Sequence, residues 1–161
     1  MNFREKIISW DKLPEWRSAM RASGRKLVVT NGCFDLLHVG HVTYLETARK
    51  EGDALLVGVN SDRAVRELKG ADRPINEEMD RAAVLAGLQS VDAVCIFAER
   101  SAQRFLAAAK PDIYAKGGDY TLETLNQDER QIVEQAGGKI LIIPFVPDKS
   151  TTALLKKMRA L

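Results

Sequence analysis

The sequence predicts an α/β domain, a doubly wound and mostly parallel five-stranded sheet. Short apolar runs alternate with amphipathic segments from one end of the chain to the other, which is the pattern of β-α units. The runs are near-continuously apolar, as in Ala54 to Asn60, which suits strands buried on both faces rather than strands with one wet face. No internal repeat, low-complexity tract or linker interrupts the 161 residues, so a single domain, 1–161, is expected.

The first helix is expected from about 12 to 23, capped by Asp11, carrying Pro14 in its first turn and stopped by Gly24. With the residues before it, this makes an N-terminal helical extension, 1–24, packed on the domain. Lys26 to Thr30 is the first strand. The segment Asn31 to His41 follows, and a helix then runs to about Lys50 with Val42, Leu45 and Ala48 on one face and Gly52 ending it. Ala54 to Asn60 is the second strand. Ser61-Asp62 opens a short helix, 69–76 is a polar loop, and 78–88 is helical. Ala93 to Phe97 is a strand, Ser101 caps a helix to Ala109, and Ile113 to Lys116 is a strand closed by a turn at Gly117-Gly118-Asp119. A helix from Gln127 to Ala136 ends at Gly137-Gly138. Lys139 to Ile143 is the last strand and 151–160 the last helix. Ligands of such sheets bind beyond the carboxyl ends of the strands, so the loops after Thr30, Asn60, Phe97, Lys116 and Ile143 are the ones to watch.

Composition excludes several classes. Hydrophobic residues at 45% and charged residues at 29% are values of a folded globular chain, not of a disordered, collagenous or disulfide-rich one. A net charge of +2 offers no case for nucleic-acid binding. Two cysteines fit a reducing compartment, no apolar run approaches the ~20 residues of a membrane span, and the N-terminus lacks a signal-peptide pattern, so a cytoplasmic location is expected.

The only two histidines lie three apart, in His38-Val39-Gly40-His41, at the opening of a helix that follows the first strand. Residues i and i+3 share a helix face, and a helix N-terminus presents free N–H groups and partial positive charge, a natural site for phosphates. Gly32 and Gly40 permit close approach or unusual dihedrals. Packing alone is a poor account of two loop imidazoles. Zinc is the sharper rival, yet a third ligand would have to be Asp35, Cys33 or a distant carboxylate, and the spacing is uncharacteristic. The window is neither the G-x-G-x-x-G dinucleotide fingerprint nor a Walker A loop.

The stretch Thr30-Asn31-Gly32-Cys33-Phe34-Asp35-Leu36-Leu37-His38-Val39-Gly40-His41 resembles the signature of the H-x-G-H nucleotidyltransferase superfamily, which includes the cytidylyltransferases and pantetheine-phosphate adenylyltransferase. Val59-Asn60-Ser61-Asp62, Leu68-Lys69-Gly70, Arg73-Pro74, Lys116-Gly117-Gly118-Asp119-Tyr120 and Ser150-Thr151-Thr152 follow in the order seen in its heptose branch, the adenylyltransferase domain that makes ADP-heptose from D-glycero-β-D-manno-heptose 1-phosphate. The resemblance covers about 25–160. It implies a Rossmann-like nucleotidyltransferase fold and, because no length is left for a sugar kinase, the stand-alone version of that domain.

By that resemblance the partners are ATP and a sugar 1-phosphate, for lipopolysaccharide core biosynthesis. His38, His41 and Lys69 are expected to be catalytic. Thr30, Asn31, Gly32, Cys33, Phe34, Gly40, Lys116, Gly117, Asp119, Ser150, Thr151 and Thr152 are expected to bind the nucleotide. Asn60, Arg73 and Arg81 are expected to face the second substrate, and Asp35 either contacts it or orients its own loop. For Arg81 the competing reading is a surface ion pair with Glu77 or Glu78. Cys33 is read as a small buried thiol, not a nucleophile. Mg²⁺ is expected with the triphosphate, held mainly by phosphates, and no metal ligand is named. One departure stands out. Val146-Pro147-Asp148-Lys149-Ser150 lacks the arginine that many cytidylyltransferases carry before the last helix, and Lys149 matches its charge but not its fork geometry. A polyol-phosphate cytidylyltransferase is therefore the weaker enzyme alternative, and a non-catalytic nucleotide-binding module is the alternative of another class. A homo-oligomer is expected from the resemblance.

Overall fold

A computed structural model describes residues 2–118, 120–144, 147 and 150–160 of the chain. Five strands, β1 (Leu27–Gly32), β2 (Ala54–Asn60), β3 (Ala93–Phe97), β4 (Ile113–Gly117) and β5 (Lys139–Ile143), form one all-parallel sheet in the order β3-β2-β1-β4-β5. The α/β reading is borne out. Every residue of β2 is buried, as its unbroken apolar run requires of a strand covered on both faces.

The helices are α1 (Leu13–Ala22), α2 (Val39–Arg49), α3 (Asp62–Lys69), α4 (Glu78–Ala86), α5 (Gln103–Ala109), α6 (Gln127–Gln135) and α7 (Thr151–Arg159). Side chains alternate across β1, so it contributes to two cores. Leu27 and Val29 join α1, α5 and α6 residues such as Leu13, Phe105 and Val133. Val28 joins Leu45 of α2 and Leu85 of α4 on the other face. Gly58 in β2 admits the Phe105 ring, since a Cβ there would stand 2.5 Å from it.

Local expectations differ from the structure in three places. Asp11 does not cap α1. It sits in a one-turn 3-10 helix, Trp10–Lys12, that runs into α1, whose first turn carries Pro14. Ser101 is not the N-cap of α5, although its hydroxyl accepts the Gln103 amide at 3.4 Å. Val42 is exposed, because the inward stripe of α2 passes instead through Tyr44, Leu45 and Ala48.

The segment before α1 lies along the outer edge of β3. Ile7 bridges Val94 in parallel, the Ile8 amide donates to the Val94 carbonyl at 2.9 Å, and Lys6 Nζ donates to the carbonyls of Leu88 and Val91. Trp10 and Trp16 pack half-buried against the α1/α5/α6 core. The extension covers an edge that would otherwise offer unpaired backbone.

Candidate active site

The chain leaves β1 towards β2 by way of α2 on one face and returns to β4 from β3 by way of α5 on the other. The connections therefore diverge at β1 and β4, where doubly wound sheets open a crevice beyond the strand ends. A cavity of about 940 Å³ lies there. That is near the upper end of the ~300–1,000 Å³ usual for small-molecule sites, room enough for two reactants.

Both histidines line this cavity. His38 is the N-cap residue of α2 in extended backbone, and its carbonyl accepts the His41 amide at 2.9 Å. The two rings stack with centroids 3.9 Å apart, and the edge of Phe34 meets His41 at 5.4 Å. Burial, then the neighbouring His38, then the charge of Lys69 push the His41 pKa down to about 4. Nδ1 of His41 is buried without a hydrogen-bond partner among the described residues. A His41 imidazole held neutral in the first turn of α2, with Lys69 also on the wall, marks a place short of negative charge.

The loop after β1 is built tightly. Phe34 takes a left-handed backbone, φ 48°, which turns its ring back over Gly32, where a Cβ would stand 3.0 Å from it. The Phe34 ring thus leaves little room for a side chain at position 32. Asn31, Gly32, Cys33, Phe34 and Gly40 all line the cavity. Thr30 does not. Its side chain faces α2 and its hydroxyl meets the Tyr44 hydroxyl at 2.7 Å, so the expected nucleotide contact is corrected to a buried link between β1 and α2. Burial raises the Cys33 thiol pKa, offset in part by Lys69, Arg81 and Arg73, which keeps it a poor nucleophile.

Two residues expected to face the second substrate prove to hold the walls. The buried Asp35 carboxylate accepts from Arg73 Nε at 2.5 Å and from the amides of Ile75 and Asn76, while Asn76 Nδ2 donates to the Asp35 carbonyl. Burial pushes its pKa up, but these hydrogen bonds and the guanidinium outweigh it and hold the carboxyl below its usual value. Asp35 therefore orients loop 70–77, and it also stands in the cavity lining. Arg81 is not on the surface and not on the cavity wall. Its fully buried guanidinium donates to the Asn76 carbonyl, the Cys33 carbonyl at 2.6 Å and Asp62 Oδ1 at 2.8 Å. It ties the loop after β1 to α3 and α4, and the partner is Asp62 instead of Glu77 or Glu78, because the N-terminal ends of α3 and α4 meet, where the Asp62 amide donates to Glu78 Oε2. Lys69, Arg73 and Asn60 do reach the cavity, and Arg73 Nη2 has no partner among the described residues.

Across the crevice, Lys116 and Gly117 line the wall at the end of β4. Lys116 Nζ sits 3.5 Å from Asn31 Oδ1 and over the rings of Tyr114 and Tyr120 at 5.3 and 5.4 Å. Tyr120, from the Lys116 to Tyr120 segment, also lines the wall, and the sequence predicts no site role for Arg100, Ser101, Asn126 and Glu129, which the loop before α5 and the start of α6 bring in. Glu129 carried a readable signal, since it lies on the apolar stripe of Ile132, Val133 and Ala136. Arg100 and Ser101 lie in the loop after Phe97, one of those expected to meet ligands, but nothing in their own residue pattern singled them out. Ser150, Thr151 and Thr152 close the cavity from α7. Ser150 caps the Ala153 amide, and the Thr151 hydroxyl donates to the Leu36 carbonyl. Asp119 and Lys149 lie outside the described residues. Among the described residues no three His, Cys, Asp or Glu side chains are grouped so that they could hold a metal ion.

The cytidylyltransferase-like family model matches residues 29–155, from inside β1 into α7. The chain belongs to this family. Over 139 residues it is 53% identical to the bifunctional protein HldE of Pseudomonas paraeruginosa, covering 86% of this chain and 29% of that one. Over 153 residues it is 48% identical to HldE of Trichlorobacter lovleyi, covering 95% and 31%. The chain thus spans under a third of the length of these relatives. The crystal structure of the lipopolysaccharide core biosynthesis protein from Thermoplasma volcanium superposes with a TM-score of 0.62 at 31% identity, over 76% of this chain and 98% of that one. The cytidylyltransferase-like region contains the whole cavity wall described above and leaves out the N-terminal extension.

Proposed function

We propose that this chain transfers the adenylyl group of ATP to D-glycero-β-D-manno-heptose 1-phosphate, giving ADP-heptose and pyrophosphate for lipopolysaccharide core. The observation that carries the reading is the stacked His38–His41 pair at the start of α2, in a cavity that also presents Lys69, Arg73 and Lys116. Identity near one half to HldE, along with the NGCFD and KGGDY segments, points to the heptose branch.

A phosphate oxygen of the sugar 1-phosphate attacks the α-phosphorus of ATP, and the bond to the bridging oxygen of pyrophosphate breaks. The nucleophile is already anionic at neutral pH, so no general base and no covalent intermediate are needed. The protein aligns two polyanions and neutralises charge as it develops. The imidazoles donate to the phosphate oxygens, and Lys69, Arg73 and Lys116 supply positive charge. His41 is neutral in the empty site, and bound triphosphate favours its cation, so nucleotide binding takes up a proton. Mg²⁺ bound with ATP would supply further charge neutralisation at the phosphates. The chain acts in the cytoplasm as a homo-oligomer, in keeping with the absence of a membrane-crossing helix among the described residues.

Pyrophosphate release by the purified protein with Mg²⁺ and heptose 1-phosphate, comparing ATP with CTP, tests the reading. Turnover with ATP is expected. Turnover with CTP alone, or with neither nucleotide, overturns it.

A further inference from the structure

Glu129 is 6% exposed on α6, and among the described residues it forms no salt bridge. Burying a carboxylate is costly unless hydrogen bonds hold it, and an apolar residue of similar size is often as stable there. This carboxylate is held on both oxygens. Oε1 accepts the Ala102 amide at 2.9 Å and the Ser101 hydroxyl at 3.3 Å. Oε2 lies 2.9 Å from the Tyr114 hydroxyl, which in turn lies 2.6 Å from Asn31 Oδ1. A phenol has one proton, so these two acceptors compete for it. The same Asn31 oxygen meets Lys116 Nζ at 3.5 Å, and the ammonium lies over the Tyr114 ring.

We propose that Glu129 and Tyr114 are positioning residues for the nucleotide half of the site, setting Asn31 and, through it, the Lys116 ammonium. The inference rests on the nucleotidyltransferase reading of the cavity. A lysine is a point charge on a flexible stem, and its value to a phosphate depends on what restrains it. The contacts run unbroken from α6 through β4 to β1. The fold brings them together from residues 83 and 15 apart in sequence, Asn31 to Tyr114 and Tyr114 to Glu129. Burial pushes the Lys116 pKa down and Glu129 opposes that, so the carboxylate also helps keep the amine charged.

Calorimetry with MgATP and no sugar phosphate tests this apart from turnover, on Tyr114→Phe, Glu129→Ala, Glu129→Gln, Lys116→Ala and the double variants with Lys116→Ala, with melting temperature recorded for each. Tyr114→Phe and Glu129→Ala are expected to weaken MgATP about tenfold. In the Lys116→Ala background each is expected to cost less than twofold, because the group they act through is gone. Glu129→Gln is expected to stay within threefold of wild type, since its amide still accepts from Ala102 and donates to the Tyr114 oxygen, releasing the phenol proton to Asn31. Full additivity with Lys116→Ala overturns the proposal. So does wild-type MgATP affinity in a Tyr114→Phe protein that melts earlier. Should Tyr114→Phe fail to fold, the Glu129→Ala cycle decides by the same criterion. A wild-type protein that binds MgATP but does not turn over heptose 1-phosphate sinks the substrate reading and leaves this test intact.

Discussion

The two ends of the sheet use the same residue types for opposite purposes. At the amino ends of the strands, aspartates close the backbone. Asp53 accepts the Lys26 amide, Asp92 the Leu55 amide and Arg49, and Asp112 the Leu27 amide and the buried Arg17. Each carboxylate accepts an amide within one residue of the start of a strand, giving that backbone donor a partner. At the carboxyl ends, charged groups sort into two layers. Asp35, Arg81 and Glu129 are fully engaged and shape the walls, while His41 Nδ1 and Arg73 Nη2, buried atoms of two residues that line the cavity, remain without partners among the described residues. The contrast teaches that an ionised side chain near a site is not thereby a ligand of the substrate. Which layer it joins depends on how many of its hydrogen bonds the fold already uses.

That contrast breaks most sharply in a pair of variants. His38→Ala is expected to lower kcat about 10²–10³-fold, the cost of one well-placed donor to developing charge, with a melting temperature within a few degrees of wild type. Single-turnover pyrophosphate release beside thermal melting checks it. Asp112→Ala should do the reverse. It leaves Arg17 buried without its carboxylate and the Leu27 amide without an acceptor, which is expected to cost about 3 kcal/mol by denaturant unfolding, with kcat per folded molecule unchanged. A large loss of kcat in the folded Asp112→Ala protein would show that the two ends are not independent.

The next test uses pH. The folded His41 pKa of about 4 lies below its unfolded value of 6.5, so between those values the unfolded state holds a proton that the folded state lacks. Stability contributed by this group is therefore present above pH 6.5 and is lost as pH falls towards 4. MgATP affinity moves the other way, strengthening as pH falls from 7.5 to 5.5, because the bound polyanion raises the His41 pKa. His41→Asn should flatten both profiles, and unaltered profiles in that variant would assign the titration elsewhere. The smallest effect is expected at Asp53→Ala, an exposed cap on one amide. A loss of about 1 kcal/mol in unfolding free energy with unchanged activity is expected there.

Much of the fold and part of the site were legible in the sequence. The strands Ala54 to Asn60, Ala93 to Phe97 and Lys139 to Ile143 match the structure residue for residue; the first two are almost wholly buried and apolar, and the edge strand β5 is an apolar run bounded by Gly138 and Pro144. Ser61 and Ser150 cap α3 and α7 as expected, since an N-cap depends on a side chain two or three residues from the amide it serves. The caps at Asp11 and Ser101 failed locally, whereas among the site residues the differences fall where the deciding partner is on another element. Thr30 was read towards the ligand because it ends a strand, but side chains alternate, and its position turns it to Tyr44. Arg81 was read as a substrate contact or a surface pair, and it became a buried staple between three carbonyl and carboxylate groups.

The sequence by itself determined the alternation of strands and helices and placed the two histidines after β1, because hydrophobic period, caps and turn residues act over a few positions. Only the tertiary structure decided which charges are engaged and which stay open. It alone brought Arg100, Ser101, Asn126 and Glu129 to the wall opposite the histidines. The reason is geometric. Their neighbours across the cavity lie far along the chain, and whether a polar atom keeps a free hydrogen bond depends on the crossings that fold α5 and α6 against β1 and β4, which no local pattern encodes.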